Sequence, residues 1–402
     1  MAIAVIVSSL NDGVNGLLHL SIYKVKLNYF WKKINLYPAN PSPEAKRILV
    51  APLDWGLGHA TRCIPLIRAL LDAGCEVLIG AEDRQAALLA EEFPQLTVLP
   101  LPGYRITYPE NGKRLGIKII RQLPKILGAI RYEQGWLQEM VKKYAIDAVI
   151  ADNRYGLHHP LIPAILLTHQ LRIRSPFGKK SEKLLQLINY LMINKFTECW
   201  VVDLEGNENL AGALSHPEKL PGRLKYLGCL SRFEKTEGLT QKYDLLLLLS
   251  GPEPQRTEFE KMMMQQISRS PLNTLIVGGE PGKPYDYMAR PGIRHIHHLK
   301  AADLSLAIQE SGIVISRSGY TTLMDLVKLR KKAIIVPTPG QTEQEYLGKY
   351  LMEKGIFYSV PQENFNLQKA LEAAGHFPFQ FPGGAGEMKG YQRIVHEFVA
   401  SL

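Results

Sequence analysis

The stretch IVISRSGYTTLMD, from Ile313 to Asp325, decides how the chain is interpreted. Its first three residues are apolar, as in a buried strand, and Ser316–Gly319 form a short polar turn before a helix that starts at Tyr320. A strand that passes through a glycine turn into a helix presents free backbone N–H groups to an anion. We therefore predict that this stretch holds a phosphate at the helix start and a sugar hydroxyl through Thr322 or Asp325.

Alternating strands and helices extend from this stretch over most of the chain. Apolar strand segments separated by helical segments recur over residues 47–203 and again over residues 243–337, which is the βαβ pattern of parallel sheets. The sequence therefore predicts an α/β fold with two Rossmann-like domains facing a central cleft. The predicted division is an N-terminal extension (1–45), a first domain (46–221), a second domain (222–390) and a C-terminal helix (391–402) that can pack back on the first domain.

The composition is that of a soluble globular protein with an excess of positive charge. Of the 402 residues 46% are hydrophobic and 21% charged, and the net charge of +10 favours a polyanionic partner such as nucleic acid, anionic lipid or a phosphorylated substrate. The four cysteines form no C-x-x-C pair, so we expect a reducing cytoplasm and neither a disulfide framework nor a zinc site. No apolar run reaches the ~18 to 20 residues of a membrane span. We expect residues 1–45 to be a poorly ordered extension or a misread start of the chain, with an arm that touches a membrane as the alternative.

A glycine loop follows the first strand, at Gly56-Leu57-Gly58-His59. Glycine has no side chain, so Gly58 lets a ligand approach the backbone closely. His59 is a candidate general base or phosphate contact, because a neutral imidazole suits deprotonation of a hydroxyl near neutral pH. The alternative is a tight strand-to-helix turn in which His59 only starts the helix.

Two further loops follow strands of the second half. In the loop that starts at Ser250, Gly251 and Arg256 fit an anion site, since a guanidinium pairs bidentately with phosphate oxygens; the alternative is a proline-stiffened surface turn. In the segment PTPGQTEQEY, Gln341, Gln344 and Glu345 supply the amide and carboxylate groups that sugar hydroxyls need. The alternative there is a solvated helix start.

The combination of G-x-G-H after the first strand, S-R-S-G-x-x-T-x-x-D in the second half and the T-E-Q-E-Y helix start resembles glycosyltransferases of family 28, which have the GT-B fold. The resemblance covers about residues 47–402. It is nearest to the branch that transfers N-acetylglucosamine from a UDP donor to a lipid-linked muramoyl-pentapeptide.

The resemblance implies a nucleotide-sugar site in the second domain and an acceptor site in the first. Gly319 and Thr322 would contact the diphosphate, Asp325 would hold the ribose, and Gln344 and Glu345 would read the donor sugar. We also expect Ser318 and Thr321, on the same turn, to belong to the nucleotide-sugar site. The sequence departs from the family at Asp325, where a Glu is usual, at Glu345, where a Gln is usual, and at the loop SGPEPQR in place of a G-G-S-type loop.

Several residues of the first domain are candidates for the acceptor side. Asp152, Arg154 and Tyr155 follow one predicted strand, and His169 and Gln170 follow another. Asp152 is a candidate base or acceptor ligand, with a turn-stabilising carboxylate as the alternative. His169 is equally compatible with a satisfied buried histidine.

The segment 104–144 is basic, with apolar residues at near-helical spacing. Such a segment is typical of a surface for anionic lipid head groups, and also of an ordinary helix with a solvated charged face. No recognised RNA or DNA module is present, so nucleic acid is not expected as a partner.

The sequence therefore predicts a cytoplasmic glycosyltransferase, soluble or held at the inner face of the membrane. Its donor is a nucleotide-sugar, expected to be UDP-linked, and its acceptor is unassigned, with a lipid-linked molecule as one candidate. His59 or Asp152 would take the acceptor proton; no metal and no cofactor are expected. Two alternatives stay open: hydrolysis or epimerisation of a UDP-sugar, and a non-catalytic protein that binds a membrane or nucleic acid.

Overall fold

The computed structural model describes residues 45–105, 122–175, 178–280, 287–382 and 390–402. The extension predicted over residues 1–45 lies outside the described residues apart from Ala45, as do residues 106–121 of the basic segment. Residues from Lys46 to Leu402 form one compact unit.

The first half of this unit is a seven-stranded sheet in the order β3-β2-β1-β4-β5-β6-β7, with all neighbouring strands parallel. Its central strands are buried on both faces, which explains their continuous apolar sequences. The strands are β1 (Arg47–Pro52), β2 (Glu76–Ala81), β3 (Thr97–Pro100), β4 (Ala148–Asp152), β5 (Ala164–Thr168), β6 (Glu198–Val201) and β7 (Leu224–Tyr226). Because β7 pairs with β6, this sheet runs past the boundary predicted at residue 221.

Four described helices cover the two faces of the first sheet. Gly74, with a φ of 81° that favours glycine, follows the first of them and lets the chain turn back into β2. The helices are α1 (Leu57–Asp72), α2 (Asp83–Glu92), α3 (Leu123–Tyr144) and α4 (Lys179–Ile193).

The second half is another seven-stranded sheet, in the order β10-β11-β9-β8-β12-β13-β14. All neighbours are parallel except the edge pair β10 and β11, which is antiparallel. The strands are β8 (Tyr243–Leu248), β9 (Thr274–Val277), β10 (Tyr287–Arg290), β11 (Ile293–Ile296), β12 (Ser311–Ser316), β13 (Ala333–Ile335) and β14 (Tyr358–Ser359). The helices are α5 (Gln255–Ile267), α6 (Ala301–Gln309), α7 (Tyr320–Lys328), α8 (Thr342–Glu353), α9 (Leu367–Gly375) and α10 (Gly390–Ala400).

The predicted α/β architecture of two Rossmann-like halves is confirmed. The last helix, α10, lies against the first half, where Phe398 meets the Trp200 ring edge-on with 5.3 Å between ring centres. A single apolar core includes Trp200 and Val202 of the first half together with Val314 and Leu323 of the second.

The topology brings the candidate residues to one edge of each sheet. In the first sheet the strand order reverses between β1 and β4, and in the second between β8 and β12. The carboxyl ends of these strands open a crevice where α/β proteins bind ligands. His59 follows β1, Asp152 ends β4, and Ser318 follows β12.

Among the helices that the structure describes, none is both long enough and apolar enough to cross a membrane. All four cysteines are buried and free.

Candidate active site

The glycine loop after β1 touches the first turn of α7 in the other sheet. The carbonyl oxygen of Gly58 accepts a hydrogen bond from Thr321 Oγ1 at 3.2 Å. A Cβ atom at Gly58 would lie 3.1 Å from the same hydroxyl, which is tighter than ordinary van der Waals contact. A larger residue at position 58 would press on Thr321, so glycine suits the close approach of the two halves, and His59 stands directly beside the contact.

His59 is held by a buried carboxylate. Its Nδ1 lies 2.9 Å from Asp152 Oδ2, and it also lies 2.9 Å from Arg62 Nη2. Arg62 donates to both oxygens of Asp152, from Nε at 2.9 Å and from Nη2. Arg62 Nη2 already donates to Asp152 Oδ1, and the carboxylate can only accept, so we assign a proton to His59 Nδ1 that is donated to Asp152. Nε2 of His59 then carries the lone pair, and it has no hydrogen-bond partner in the described part of the chain.

The electrostatics of this group favour a neutral imidazole beside an ionised carboxylate. Burial lowers the pKa of His59 below its ordinary value and outweighs the opposing effect of Asp152. For Asp152, burial alone would raise the pKa, but Arg62 and His59 outweigh it and hold the pKa well below the usual range. Asp152 is therefore ionised and a weak base near neutral pH, whereas a neutral His59 is suited to accepting a proton.

A hydrogen-bonded chain continues from Arg62 into the second half. Arg62 Nη1 donates to His169 Nδ1 at 3.1 Å, and His169 Nε2 lies 2.8 Å from Glu343 Oε1 on α8. The His169 ring also stacks on Tyr320, the first residue of α7, with 4.2 Å between ring centres. His169 is therefore a buried histidine with both ring nitrogens paired, as the alternative interpretation expected, and it also bridges the two halves.

Sequence reasoning missed Arg62 and Glu343. Arg62 follows His59 by three positions in α1, the spacing that places two side chains on one helix face, and this was an available signal. Glu343 lies inside the T-E-Q-E-Y segment, but its partner His169 is distant in sequence and only the fold brings them together.

The first turn of α7 has the features of an anion site. Gly319 precedes the helix, and no side chain caps the exposed N–H groups. A Cβ atom at Gly319 would meet nothing within 4 Å, so the space beside the helix start is open. Ser318 is buried, and its hydroxyl donates to the carbonyl of Gln344 at 2.9 Å, so it shapes the turn; Thr322 is half-buried.

Asp325 lies one turn further along α7 and is almost fully buried. Its Oδ1 accepts a hydrogen bond from Ser231 at 2.5 Å. Burial raises the pKa of Asp325 to about 6, although Arg232 and Ser231 act in the opposite direction. In this arrangement the carboxylate faces the connection between the two sheets, and contact with a ribose would have to displace Ser231.

The polar residues at the start of α8 contact their own turn. Gln341 caps the helix by accepting from the backbone N–H of Gln344 at 2.7 Å, and Gln344 Oε1 accepts from the N–H of Thr338 at 3.0 Å. Glu345 is exposed and accepts from the N–H of Gly340 at 2.7 Å. The helix-start alternative accounts for Gln341.

Arg256 does not have the free guanidinium that the phosphate prediction needs. It is buried and pairs with Glu253 at 2.7 Å and with Glu260 and Glu280 at 3.0 Å each. With three carboxylates around one cation, its charge is already balanced within the protein. Gly251, with a φ of 108°, is exposed and has open space at its Cβ position.

Arg154 likewise belongs to the interior and not to the acceptor surface. It is fully buried, pairs with Glu133 at 3.0 Å and donates to the carbonyl of Pro52 at 2.8 Å. The hydroxyl of Tyr155 donates to Asn189 at 2.8 Å. Gln170 is half-buried beside His169, and its carbonyl oxygen accepts from Asn189 at 3.0 Å.

Comparison with known proteins points to sugar transfer. Residues 290–378 match the family model described as the glycosyltransferase family 28 C-terminal domain. An uncharacterized glycosyltransferase of Methanosarcina acetivorans is 23% identical over 343 residues, covering 79% of this chain and 87% of the relative. The UDP-N-acetylglucosamine--N-acetylmuramyl-(pentapeptide) pyrophosphoryl-undecaprenol N-acetylglucosamine transferase of Natranaerobius thermophilus is 26% identical over 157 residues, which is 36% of this chain and 42% of the relative.

Solved structures with similar folds cover most of the chain. The glycotransferase of kitacinnamycin aligns with a TM-score of 0.59 at 12% identity, over 89% of this chain and 96% of its own. MurG of Acinetobacter baumannii aligns with a TM-score of 0.52 at 14% identity, over 89% of this chain and 100% of its own. These similarities confirm the predicted GT-B fold.

Proposed function

We propose that this chain transfers a sugar from a UDP-linked donor to an acceptor hydroxyl, with His59 as the general base. The proposal starts from the premise that the chain is a GT-B glycosyltransferase similar to family 28. The observation that carries the proposal is the contact between Gly58 and Thr321 at 3.2 Å. It puts a candidate base from one half beside a candidate phosphate site of the other.

The donor diphosphate is proposed to lie at the start of α7. The unpaired N–H groups there favour negative charge, and Gly319 leaves room for it. As the bond from the anomeric carbon to the diphosphate breaks, charge grows on the departing oxygen, and these donors stabilise it without having to rearrange. Thr322 adds a hydroxyl group on the same turn, whereas the Thr321 hydroxyl donates to the carbonyl of Gly58.

The acceptor is proposed to approach from the first half. Nε2 of His59 removes the proton from the acceptor hydroxyl while its oxygen forms the bond to the anomeric carbon. Asp152, which accepts from Nδ1 at 2.9 Å, fixes the tautomer and stabilises the imidazolium that forms. Arg62 keeps Asp152 ionised, so Asp152 and Arg62 are positioning residues and His59 is the residue that reacts.

Donor identity is tested by a thermal-shift panel of UDP-, GDP-, CMP- and dTDP-sugars. We expect a rise in Tm with the UDP-sugars that is lost in Asp325→Ala, each variant being compared with its own unliganded Tm. Asp303→Ala, an exposed aspartate on α6, is the matched control and should keep the shift. A Tm shift with the sugars of one other nucleotide alone would identify that nucleotide as the donor in place of UDP. The absence of a shift with every nucleotide-sugar of the panel would contradict the proposal.

The transferase reaction is tested by incubating the protein with a UDP-sugar in the absence of an acceptor. We expect slow or no release of free sugar and no epimer, because water is a poor substitute for a positioned acceptor. Rapid sugar release or epimer formation would overturn transfer in favour of hydrolysis or epimerisation.

A further inference from the structure

Helix α4 (Lys179–Ile193) has apolar residues on its outer face and polar residues on its inner face, which is the reverse of an ordinary surface helix. Four large apolar residues are between 49% and 60% exposed: Leu184, Leu187, Ile188 and Leu191. The buried residues of the same helix include Glu182 and Asn189. A surface helix of a globular protein ordinarily buries its apolar stripe, so the outward leucines need an explanation.

The inward polar residues fix this orientation. Glu182 accepts from Arg172 at 2.8 Å, and Asn189 donates from Nδ2 to the carbonyl groups of Gln170 and Leu171, each at 3.0 Å. The hydroxyl of Tyr155 donates to Asn189 Oδ1 at 2.8 Å. Rotating the helix to bury its leucines would break these contacts and leave buried polar groups unpaired, so the apolar face is held outward.

The charge around the apolar stripe is of one sign. Lys179, Lys180 and Lys183 are exposed on the first turns, and Lys195 is exposed just beyond the helix end. Glu182 is the one acidic residue between positions 178 and 195, and it is buried and neutralised by Arg172. The outer face of α4 therefore presents leucine and isoleucine side chains with exposed lysines at both ends of the helix.

We propose that the outer face of α4 docks on an anionic lipid bilayer. Apolar side chains on one face with lysines along the border are the features of helices that lie in the interfacial region of a membrane, and anionic head groups attract each lysine. A second copy of the chain fits less well: lysines stand at both ends of α4, so two such helices would oppose lysine to lysine in either direction.

A chain of contacts connects the inner face of α4 to the candidate active site. Asn189, on its inner face, holds the backbone of Gln170 and Leu171, next to His169 in the chain of contacts that leads to His59. The proposal adds a membrane-docking surface on α4 to the proposed function. This surface is separate from the basic segment 104–144, for which the sequence predicted lipid contact. It does not depend on sugar transfer, since lipid binding is measurable without donor or acceptor.

The apolar part is tested by sedimentation with vesicles of phosphatidylglycerol and phosphatidylcholine. The full chain should co-sediment, and Leu184→Ser/Leu191→Ser should weaken binding by more than about tenfold. The control Leu306→Ser/Met352→Ser, two exposed apolar residues on helices of the second half, should bind like the unmodified chain. Equal weakening in both variants would contradict a role for α4, as would an unmodified chain that does not sediment.

The charged part is tested by Lys179→Glu/Lys180→Glu/Lys183→Glu. Its matched control, Lys261→Glu/Lys349→Glu/Lys369→Glu, changes the net charge equally with exposed lysines of the second half. We expect the α4 variant to lose vesicle binding and the control to keep it. Equal loss in both variants would show that binding depends on net charge and not on α4. The proposal would be overturned in favour of a second copy if the unmodified chain is dimeric and does not bind vesicles, while Leu184→Ser/Leu191→Ser is monomeric.

Discussion

At the scale of single residues, His59 is the centre of the account. It is partly exposed, neutral because burial lowers its pKa, and oriented by a carboxylate that Arg62 keeps ionised. Hydrogen bonding at Nδ1 leaves Nε2 as the basic atom. In the proposed mechanism His59 is therefore the base that reacts, and Asp152 is the residue that positions it.

Replacing His59 tests this division. Removal of a general base typically costs about 10² to 10⁴ in rate, so we expect His59→Gln to lower kcat by that factor with little change in the KM for donor. The unmodified enzyme should lose kcat/KM as pH falls through a pKa below about 6.5, because the imidazole must be neutral to accept a proton. A variant as active as the unmodified chain would rule out His59 as the base.

Asp325 leads to a separate prediction about how the free energy of unfolding depends on pH. Its pKa of about 6 in the folded protein is raised above the ordinary value near 3.9, so between these values the folded state binds more protons than the unfolded one. The contribution of Asp325 to folding therefore becomes less favourable as pH rises from about 4 to above 6, by on the order of 2 kcal/mol.

Asp325→Asn removes this titration and keeps an acceptor for Ser231. Compared with the unmodified chain, its free energy of unfolding in urea should gain on the order of 2 kcal/mol between pH 4.5 and pH 8. A difference between the two proteins that is the same at both pH values would show that Asp325 does not titrate with a raised pKa.

The remaining residues show what local sequence can and cannot predict. Gly58 and Gly319 were identified because a strand, a glycine turn and a helix are contiguous in the chain. Arg256 and Arg154 were assigned to ligands because a sequence displays the cation and not its partners, which the fold supplies from Glu280 and Glu133. The pairing that determines each arginine's role is a tertiary contact.

At the scale of elements, α8 and the loop after β5 form a bridge between the halves. Glu343 on α8 meets His169 at 2.8 Å, and burial, which alone would raise the pKa of Glu343, is outweighed by His169 and by Gln341, so that its pKa is lowered. Glu343 is therefore an ionised partner, and it connects the donor side to Arg62 and the base through His169.

We expect Glu343→Gln to weaken this connection and leave the base intact. The amide keeps the size of the side chain and loses its charge, so kcat should fall by about tenfold while the pH at which kcat/KM declines should shift, since His169 and Arg62 lose a compensating charge. Glu345→Gln, a neighbouring exposed glutamate that bonds Gly340, is the comparison variant for the pH profile. An unchanged profile in Glu343→Gln would assign Glu343 a merely structural role.

The strands were largely predicted from sequence because apolar runs and their spacing are local signals. The predicted strand segments do not include β7, β10 or β14, since each is short and at the edge of a sheet, with side chains that are not fully buried. The inverted face of α4 was not predictable either, because the residues that hold Glu182 and Asn189 inward become neighbours only after folding.

At the scale of the whole molecule, the two sheets share one apolar core and several polar contacts. Tyr320 donates to the carbonyl of Val202 at 2.8 Å, and Tyr350 donates to Asn209 at 2.8 Å. Since these contacts and the shared core join the halves, we expect residues 46–402 to unfold in one calorimetric transition. Two separate transitions would indicate halves of independent stability.

The central claim is that a nucleotide diphosphate binds at the start of α7, and calorimetric titration of UDP into the unmodified chain and into Gly319→Phe tests it most directly. Space around Gly319 is open and its φ of −70° suits any residue, so the variant should fold with an unchanged Tm while its phenyl ring fills the phosphate position. We expect the unmodified chain to bind UDP and Gly319→Phe to lose binding by at least about a hundredfold. Equal binding of UDP to both proteins, or binding to neither, would contradict the account.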